Sequence, residues 1–405
     1  MTIEHASPQV VGQRLADARK ARGITQEVAA EHLGLSRPTF IAIEKGTRAA
    51  KPDEVVKLAA LYGQPVHQFV RTAAPVTDFQ PHFRAAVEKV KPAEAERLRE
   101  AIGEFKAFVE NYLDLERRMK APMRPNYPAP LELNTRVNVV ELAEDVAGRE
   151  RRRLGLGDQP IPNIRTLLES DVGVRIFFGR LPRMFAGMYI FVDGLGGCML
   201  INSVHPADKQ RASIAHEYAH LIVDRHTAGI DYLAVAGRKP ANERFAEAFA
   251  MSFVMPASSV RFRFNEVVDT TGNFQVADLV KLKHFYSVSM EAMALRLEGL
   301  GLLRGGTWDL LKEKGLRVRE AEERLGLAAE PRPEPAYPER YKFLAVHAYE
   351  RGELTEKELA NYLRCDIWEA RRVIRESMIS VEVDAEGRPQ PMQADFETSL
   401  LADPI

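Results

Sequence analysis

The 405-residue chain lacks several features that would place it in a special class of protein. It has only two cysteines, Cys198 and Cys365, which lie far apart in the sequence and form no disulfide framework. Their scarcity agrees with a reducing compartment. The formal net charge is -1 at pH 7, so the chain as a whole has no charge bias toward nucleic acid or membranes. Any such bias must be local.

Long apolar segments are also missing. No run approaches the ~18 residues that a membrane span requires, and the N-terminal segment contains no apolar stretch typical of a signal peptide. We therefore expect a cytoplasmic protein without membrane contacts. The chain does have a hydrophobic content of 45%, which is ample for buried cores. At ~100–200 residues per domain, its length suggests two to four domains.

Patterns of apolar residues, glycines and prolines divide the chain into five segments, and we find no internal repeat. The fold class is predicted to be multi-domain: all-α at the N-terminus, mixed helices and strands in the middle, and helical at the C-terminus. The predicted segments are short helices (1–75), a helical connector with a proline-rich linker (76–130), a mixed domain (131–310), a charged, proline-rich linker (311–340) and a helical module with a polar tail (341–405).

The connector contains a heptad-like pattern between Pro81 and Lys120. Apolar residues follow a 4-3-4-3 spacing, which covers about two heptads and is short for a coiled coil. The pattern fits either a helix packed on its own chain or a homodimer contact. The spaced residues are Leu98, Ile102, Phe105, Val109 and Tyr112.

The segment "HEYAH" carries the clearest chemistry in the sequence. Because positions i and i+4 share one face of an α-helix, His216 and His220 can direct two imidazole nitrogens at a common zinc ion. Glu217 is rotated about 100° from His216, so it lies near the zinc's water and can act as general base. A chance match is the alternative, since short motifs have false positives.

A second helix, "ANERFAEAFAMSFVMP", supplies context for the histidines. It is nearly all apolar, yet it holds Glu243 and Glu247 one turn apart, and two buried carboxylates repel unless a cation meets them. Zinc bound by the two histidines and Glu243 resolves this repulsion. Glu247 is then placed to accept the second ring N–H of a ligand histidine. Salt bridges to Arg211 or Arg244 are the alternative.

These two segments, "INSVHPADKQRASIAHEYAHLIV" and "NERFAEAFAMSFVMP", resemble the ImmA/IrrE metallopeptidases, a gluzincin-like (M78-like) group. Three positions depart from the family pattern: Glu247 stands where Asn or Asp is usual, and Ala212 and Tyr218 replace Phe and Gly. The matching residues are Asn202, Arg211, His216, Glu217, His220, Glu243, Ala246, Phe249, Ala250, Met255 and Pro256.

The resemblance implies an α+β zincin-like fold for 131–310 and zinc-dependent hydrolysis of peptide bonds. In that family the substrates are often DNA-binding repressors, so the implied substrate is a repressor or antitoxin-like protein. The strand predicted at Gly197 to Asn202 has two open interpretations. It can pair with an extended substrate as an edge strand, or it can be an ordinary internal strand.

The N-terminal segment between Thr25 and Glu44 is predicted to be a helix, a glycine turn and a second helix. The segment from Arg14 to Lys51 contains eight basic and four acidic residues, which makes a local positive region in a nearly neutral chain. Gln26, the pair Ala29-Ala30, "LGLS" and "IEKG" resemble the XRE (Cro/C1-type) helix-turn-helix.

That resemblance implies binding to double-stranded operator DNA, with the start of the second helix, "SRPTF", in the major groove. Arg37 can then reach guanine and Thr39 a base edge or thymine methyl group. Gln26, Lys45 and Arg48 are the expected phosphate contacts. The alternative is a small helical domain that contacts proteins.

The C-terminal module is less distinctive. "TEKELANYLRCDIWEARRVIRE" has a helix-turn-helix pattern and resembles a degenerate region of longer family members. We favour a module that binds a partner or substrate over a second DNA reader.

Two functional hypotheses follow. The first is a DNA-binding zinc metalloendopeptidase that regulates gene expression by cleaving a repressor or antitoxin-like protein. The second is a transcriptional regulator whose zinc domain senses a signal and cleaves nothing. The presence of Glu217 favours the first, because a purely structural metal site needs no base there.

Overall fold

A computed structural model describes residues 7–63, 66–70, 79, 83–84, 87–88, 90–133, 138–192, 194–232, 239–327, 335–378, 381–383 and 389–391. The chain divides into two compact units, Met1–Asp114 and Leu115–Ile405. The predicted fold class is confirmed: a helical N-terminal domain, a central sheet with helices, and a helical C-terminal region. Within the described ranges, no helix is long and apolar enough to cross a bilayer. The domain boundary expected at residue 75 lies outside the described residues.

The first unit begins with short helices whose ends follow local sequence signals. Thr25 caps the second helix, since its hydroxyl accepts the N–H of Val28, and glycines with positive φ end the helices at the predicted places. The helices are α1 Pro8–Ala21, α2 Gln26–His32, α3 Arg37–Glu44, α4 Pro52–Tyr62, α5 His67–Val70 and α6 Pro92–Arg118, of which α6 crosses the boundary between the units.

The helices of the first unit close around one apolar core. Gly12 allows α1 to approach α3, because a Cβ at this position would lie 2.2 Å from the carbonyl oxygen of Ile43. The core residues include Leu15, Ala29, Phe40, Ile43, Leu58 and Tyr62.

The heptad-like seam of α6 is buried within the chain. Leu98, Phe105 and Tyr112 have no exposed surface, and the Phe105 ring packs on Phe79 at 5.3 Å between centroids. This arrangement favours packing on the same chain, since a seam buried in this way offers no surface to a second copy.

The second unit contains a four-stranded mixed sheet in the order β1-β3-β2-β4. β1 pairs with β3 in parallel, and β2 pairs antiparallel with both β3 and β4. The predicted strand at Gly197 to Asn202 is therefore internal, and its interpretation as a substrate-pairing edge is wrong. Among the described strands, β1 and β4 form the sheet edges. The strands are β1 Arg175–Gly179, β2 Phe185–Val192, β3 Gly196–Asn202 and β4 Gly229–Tyr232.

Helices cover this sheet and share its core. The helix that carries the two histidines, α9, packs on β2 and β3 and against α10, which in turn packs against α7. The helices are α7 Val139–Arg153, α8 Ile164–Leu167 with a π-helical turn Leu168–Val172, α9 Ala207–Val223, α10 Ala241–Val254, α11 Ala257–Thr271, α12 Val276–Tyr286 and α13 Met290–Gly299.

The proline-rich segment 121–130 is not a free linker as predicted. It lies along the second unit as an extended strap, held by backbone and side-chain hydrogen bonds. The N–H of Asn126 donates to Val172 O at 2.9 Å, and the Tyr127 hydroxyl donates to Gly173 O at 3.1 Å. The prolines leave few N–H groups to satisfy, which suits an extended segment packed on a domain surface.

The second predicted linker, 311–340, is also wrong for most of its length. Two short helices, α14 Thr307–Glu313 and α15 Val318–Arg324, occupy the region up to residue 327, while 328–334 lie outside the described residues. Most charged side chains face outward, Glu322 pairs with Lys283 of α12, and the apolar side chains pack on the core. The packed residues are Leu311, Leu316, Val318, Ala321, Leu325 and Leu327.

The C-terminal module contains three helices that pack against one another, followed by a strand pair. They are α16 Glu339–Glu350, α17 Glu356–Leu363, α18 Ile367–Met378, β5 Val381–Val383 and β6 Pro389–Pro391. The polar tail predicted from Ser380 thus includes a short antiparallel pair, and the rest of the tail lies outside the described residues.

Candidate metal centre and helix-turn-helix

The three predicted zinc ligands meet between α9 and α10. His216 Nε2 lies 3.2 Å from His220 Nε2 and 3.4 Å from Glu243 Oε2, and His220 Nε2 lies 3.6 Å from Glu243 Oε1. Tetrahedral zinc with bonds of ~2.0–2.1 Å separates its ligand atoms by about 3.3 Å. The donor atoms are therefore spaced as a tetrahedral metal ion requires, and these residues fit zinc.

The surrounding charges favour this donor set. A hydrogen bond from His216, together with the nearby His220, holds the pKa of Glu243 below its usual range despite partial burial. A carboxylate that stays ionised at neutral pH provides the anionic ligand that a divalent cation needs.

The helices hold the site through a packed aromatic core. Tyr218 has no exposed surface, and its ring contacts Phe249 and Phe253 of α10. Its hydroxyl bonds to buried Glu150 on α7, which also pairs with Arg153. The larger side chain at a position where the family usually has glycine thus joins α7, α9 and α10.

Asp224, at the C-terminal end of α9, orients one ligand histidine. Its Oδ2 lies 3.3 Å from His220 Nδ1 and accepts a hydrogen bond from Asn242 Nδ2 at 2.8 Å. The hydrogen bond with His220 and, to a smaller extent, the one from Asn242 hold the pKa of Asp224 below its usual range. A carboxylate on Nδ1 fixes the tautomer that leaves Nε2 for a metal.

The structure does not bring Glu247 to the histidines, so the orienting role predicted for it is wrong. Its side chain is 46% exposed and pairs with Lys239. The i+4 spacing moves Glu247 one turn along α10, away from the end of α9. Asp224 takes the role instead. Its spacing of four residues from His220, as in "HLIVD", was the available signal.

The predicted base, Glu217, lies buried between α9 and β2. Glycine at position 187 of β2 makes room for it, because a Cβ there would lie 3.0 Å from Glu217 Oε1. Sequence analysis missed Gly187, because only strand packing shows which residue faces the carboxylate. The same strand pairs with the edge strand β4.

Two other residues of the family pattern hold loops around the site. Asn202, fully buried at the end of β3, accepts the N–H of Leu181 at 3.1 Å and donates to Phe185 O at 2.8 Å. Arg211 donates to the carbonyl oxygens of Ile161 and Pro162. Burial lowers the pKa of its guanidinium to about 10. These residues build the frame and do not join the ligands.

Among the predicted DNA contacts, Arg37 and Lys45 are exposed at the two ends of α3. Thr39 is half-buried, and its hydroxyl forms a 2.8 Å hydrogen bond with that of Ser36. Both ends of the helix are thus available to solvent in the first unit.

The other two predicted DNA contacts are engaged within the first unit. Gln26 Nε2 donates to Glu44 Oε2 at 2.7 Å, and Glu44 also pairs with buried Arg19 at 2.6 Å. Arg48 forms a two-bond ion pair with Glu54 at 2.7 and 3.0 Å. A phosphate would therefore have to replace or share these partners.

Two parts of the chain match known domain families. Residues 10–69 match a helix-turn-helix domain, and residues 169–298 match the Peptidase_M78 family, described as the IrrE N-terminal-like domain. The second match contains the whole candidate metal centre. The predicted combination of the two domains in one chain is confirmed.

One curated protein and one solved structure show further similarity to the chain. The cryptic phage CTXphi transcriptional repressor RstR of Vibrio cholerae is 39% identical over 57 residues, which are 14% of this chain and 51% of that protein. The chain thus spans about half the length of this curated relative. The crystal structure of Bacillus thuringiensis PlcR with the peptide PapR7 and DNA aligns over 91% of this chain and 93% of that chain, with 11% identity and a TM-score of 0.16.

Proposed function

We propose that this chain, which joins a helix-turn-helix domain to an IrrE N-terminal-like domain, is a DNA-binding zinc metalloendopeptidase that regulates gene expression. The observation that carries the peptidase part is a group of three ligand residues whose side-chain nitrogen and oxygen atoms approach one another at 3.2 to 3.6 Å, next to a buried glutamate on the helix of the two histidines. A structural zinc site has four protein ligands, whereas a catalytic one has three and an open position.

His216, His220 and Glu243 would hold the ion, and Asp224 would keep the His220 ring oriented. Zinc in such a site supplies Lewis acidity to a water and to the substrate carbonyl group. Glu217 accepts the proton of the attacking water and delivers it to the leaving amine. Its burial against Gly187 fixes the position of its carboxylate.

An extended substrate would bind along β4. This strand is an edge of the sheet and pairs on its other side with β2, the strand that faces Glu217. Main-chain hydrogen bonds to an edge strand hold a peptide in the extended form that an endopeptidase needs. The proposed substrate is a repressor or antitoxin-like protein.

The first unit would place the peptidase on operator DNA. Arg37 and Lys45 are exposed at opposite ends of α3, which suits a base contact at the start of the helix and a phosphate contact at its end. Gln26 and Arg48 remain proposed phosphate contacts, and Thr39 a proposed base contact.

The experiment compares cellular proteins after expression of wild type, Glu217→Gln and Glu247→Gln. We expect Glu217→Gln to retain zinc and DNA binding but to lose cleavage, because removal of a general base costs about 10²–10⁴-fold in rate. Glu247→Gln is the matched control, since the same change on an exposed glutamate of α10 should leave cleavage intact.

The alternative function, a zinc domain that senses a signal, predicts a different result. In that case wild type cleaves no protein under any inducing condition, and Glu217→Gln regulates its target genes normally. This pair of results would overturn the peptidase proposal and leave the regulatory one standing.

A further inference from the structure

The C-terminal helices α17 and α18 repeat the geometry of α2 and α3 at a constant spacing of 330 residues. The first helix of each pair has the same cap. Thr25 Oγ1 accepts the N–H of Val28 at 3.3 Å, and Thr355 Oγ1 accepts the N–H of Glu358 at 3.2 Å. In both caps a threonine hydroxyl accepts the backbone N–H three residues later, so the two helices start in the same way.

The turns between the helices also match. Gly34 and Arg364, at equivalent positions, both adopt the left-handed conformation, with φ of 67° and 52°. In each turn the next residue donates its N–H to the carbonyl five residues earlier, at 2.9 Å for Leu35 and 3.0 Å for Cys365. This 6→1 bond is the one that closes a helix in the Schellman motif.

The second helix of each pair starts and packs equivalently. Ser36 and Asp366 are the residues before the two helices, and each carbonyl accepts the N–H four residues on, at 3.1 and 3.0 Å. Four inward-facing positions agree, so the two pairs bury a similar face, although Tyr362 is buried where the equivalent His32 is exposed. The equivalent buried pairs are Ala29 and Leu359, Ala30 and Ala360, Phe40 and Ala370, and Ile43 and Val373.

We infer that α17 and α18 form a second helix-turn-helix that binds duplex DNA, with α18 as its recognition helix. The inference goes beyond the proposed function and does not depend on zinc. The start of α18 presents Ile367 and Trp368, which are 41% and 75% exposed, at the positions of Arg37 and Pro38. Exposed apolar side chains at the start of a recognition helix can contact thymine methyl groups in the major groove.

Basic residues extend this surface toward the phosphates. Arg375 is exposed at the position equivalent to Lys45, and Arg372 lies one turn after Trp368, where it pairs with Glu369 and Glu376, partners that a phosphate would replace or share. Arg371 packs over the Trp368 ring at 5.2 Å and pairs with Glu356 of α17. The antiparallel pair β5–β6 follows α18, and two-stranded ribbons also serve to contact DNA.

Within the helix pairs themselves the second is slightly more basic than the first, although the wider segment 14–51 carries eight basic and four acidic residues and the equivalent segment 344–381 carries six and seven. Residues 355–375 contain five basic and four acidic side chains, whereas residues 25–45 contain two basic and three acidic ones. The alternative is that a protein partner binds the exposed surface formed by Ile367 and Trp368. The match of the whole helix pair to α2 and α3, from the cap of the first helix to the start of the second, favours DNA over that partner.

Tryptophan fluorescence of the full chain tests the inference directly. The chain has two tryptophans, so Trp308→Phe leaves Trp368 as the only one. Titration with random-sequence 30-base-pair duplex at low salt should quench Trp368 emission, and added salt should reverse the quenching. The matched control is Trp368→Phe, in which Trp308, whose indole donates to Glu291, should give no response.

A second measurement separates α18 from the first unit, which is also expected to bind DNA. Replacement of both Arg372 and Arg375 by alanine should reduce the slope of log affinity against log salt by about 2, at ~0.9 per phosphate contact. Arg37→Ala should leave the Trp368 response to random duplex intact. Unchanged Trp368 emission with DNA at every salt concentration, or an unchanged slope in the double variant, overturns the inference and favours a protein partner.

Discussion

Replacement of Asp224 by asparagine tests how the candidate metal centre is supported. The carboxylate lies 3.3 Å from His220 Nδ1 and also accepts a 2.8 Å hydrogen bond from Asn242, so it joins a ligand of α9 to the start of α10. Loss of such a partner typically lowers metal affinity by about 10–100-fold. At ~1.4 kcal/mol per tenfold change, this is about 1.4–2.8 kcal/mol.

Asparagine keeps the size of aspartate and one acceptor oxygen, but it removes the charge. We therefore expect Asp224→Asn near the lower end of that range, about tenfold, and Asp224→Ala near the upper end. The assay is competition for zinc between the full chain and a chromogenic chelator at pH 7. Thermal unfolding of the metal-free variants checks that the fold is retained.

Glu247→Gln is the control that makes this test decisive. Glu247 is half-exposed and pairs with Lys239, and an exposed pair contributes ~0–1 kcal/mol. Its zinc affinity should equal that of wild type, and His216→Ala should mark full loss of the site. If Asp224→Asn keeps wild-type affinity while Glu247→Gln loses tenfold, the assignment of the orienting carboxylate is refuted.

Two further predictions concern Arg37 at the start of α3 and the proposed general base Glu217. Arg37→Ala should relax sequence preference, with a loss of about 1–3 kcal/mol of discrimination, in competition between operator and mismatched duplexes; unchanged discrimination would contradict its role. Gly187→Ala should retain zinc but slow cleavage of the substrate, because its Cβ would lie 3.0 Å from Glu217 Oε1 and displace the carboxylate, and misplacement by ~1 Å costs about 10²-fold. A wild-type cleavage rate in this variant would show that a methyl group at position 187 does not displace the Glu217 carboxylate.

The parts of the protein that the sequence determined depend on local geometry. The cap at Thr25 and the left-handed Gly34 follow from neighbouring residues, so the helix-turn-helix is visible in a short segment. His216 and His220 share a face of any α-helix, whatever surrounds it. Glu243 was predictable because a buried carboxylate on an apolar helix needs a cation.

The tertiary structure decided which residues meet across elements. Asp224, and not Glu247, reaches His220 because the end of α9 lies beside the start of α10, where Asn242 holds it. Gly187 faces Glu217 only because β2 packs under α9. Two predicted linkers are packed segments because their apolar side chains lie against the core. The average composition of a charged or proline-rich stretch does not show which of its side chains will be buried.

The C-terminal repeat shows the same limit most clearly. Residues 24–44 and 354–374 share three identities in 21 positions, so sequence identity does not reveal the repeat, although each segment has a helix-turn-helix pattern. Arg364 even adopts the left-handed turn conformation that glycine supplies at Gly34. The fold tolerates such changes because hydrogen-bond geometry and the apolar character of the buried positions define a helix pair, and many side chains satisfy both. Only the packed structure shows that both segments adopt one backbone path.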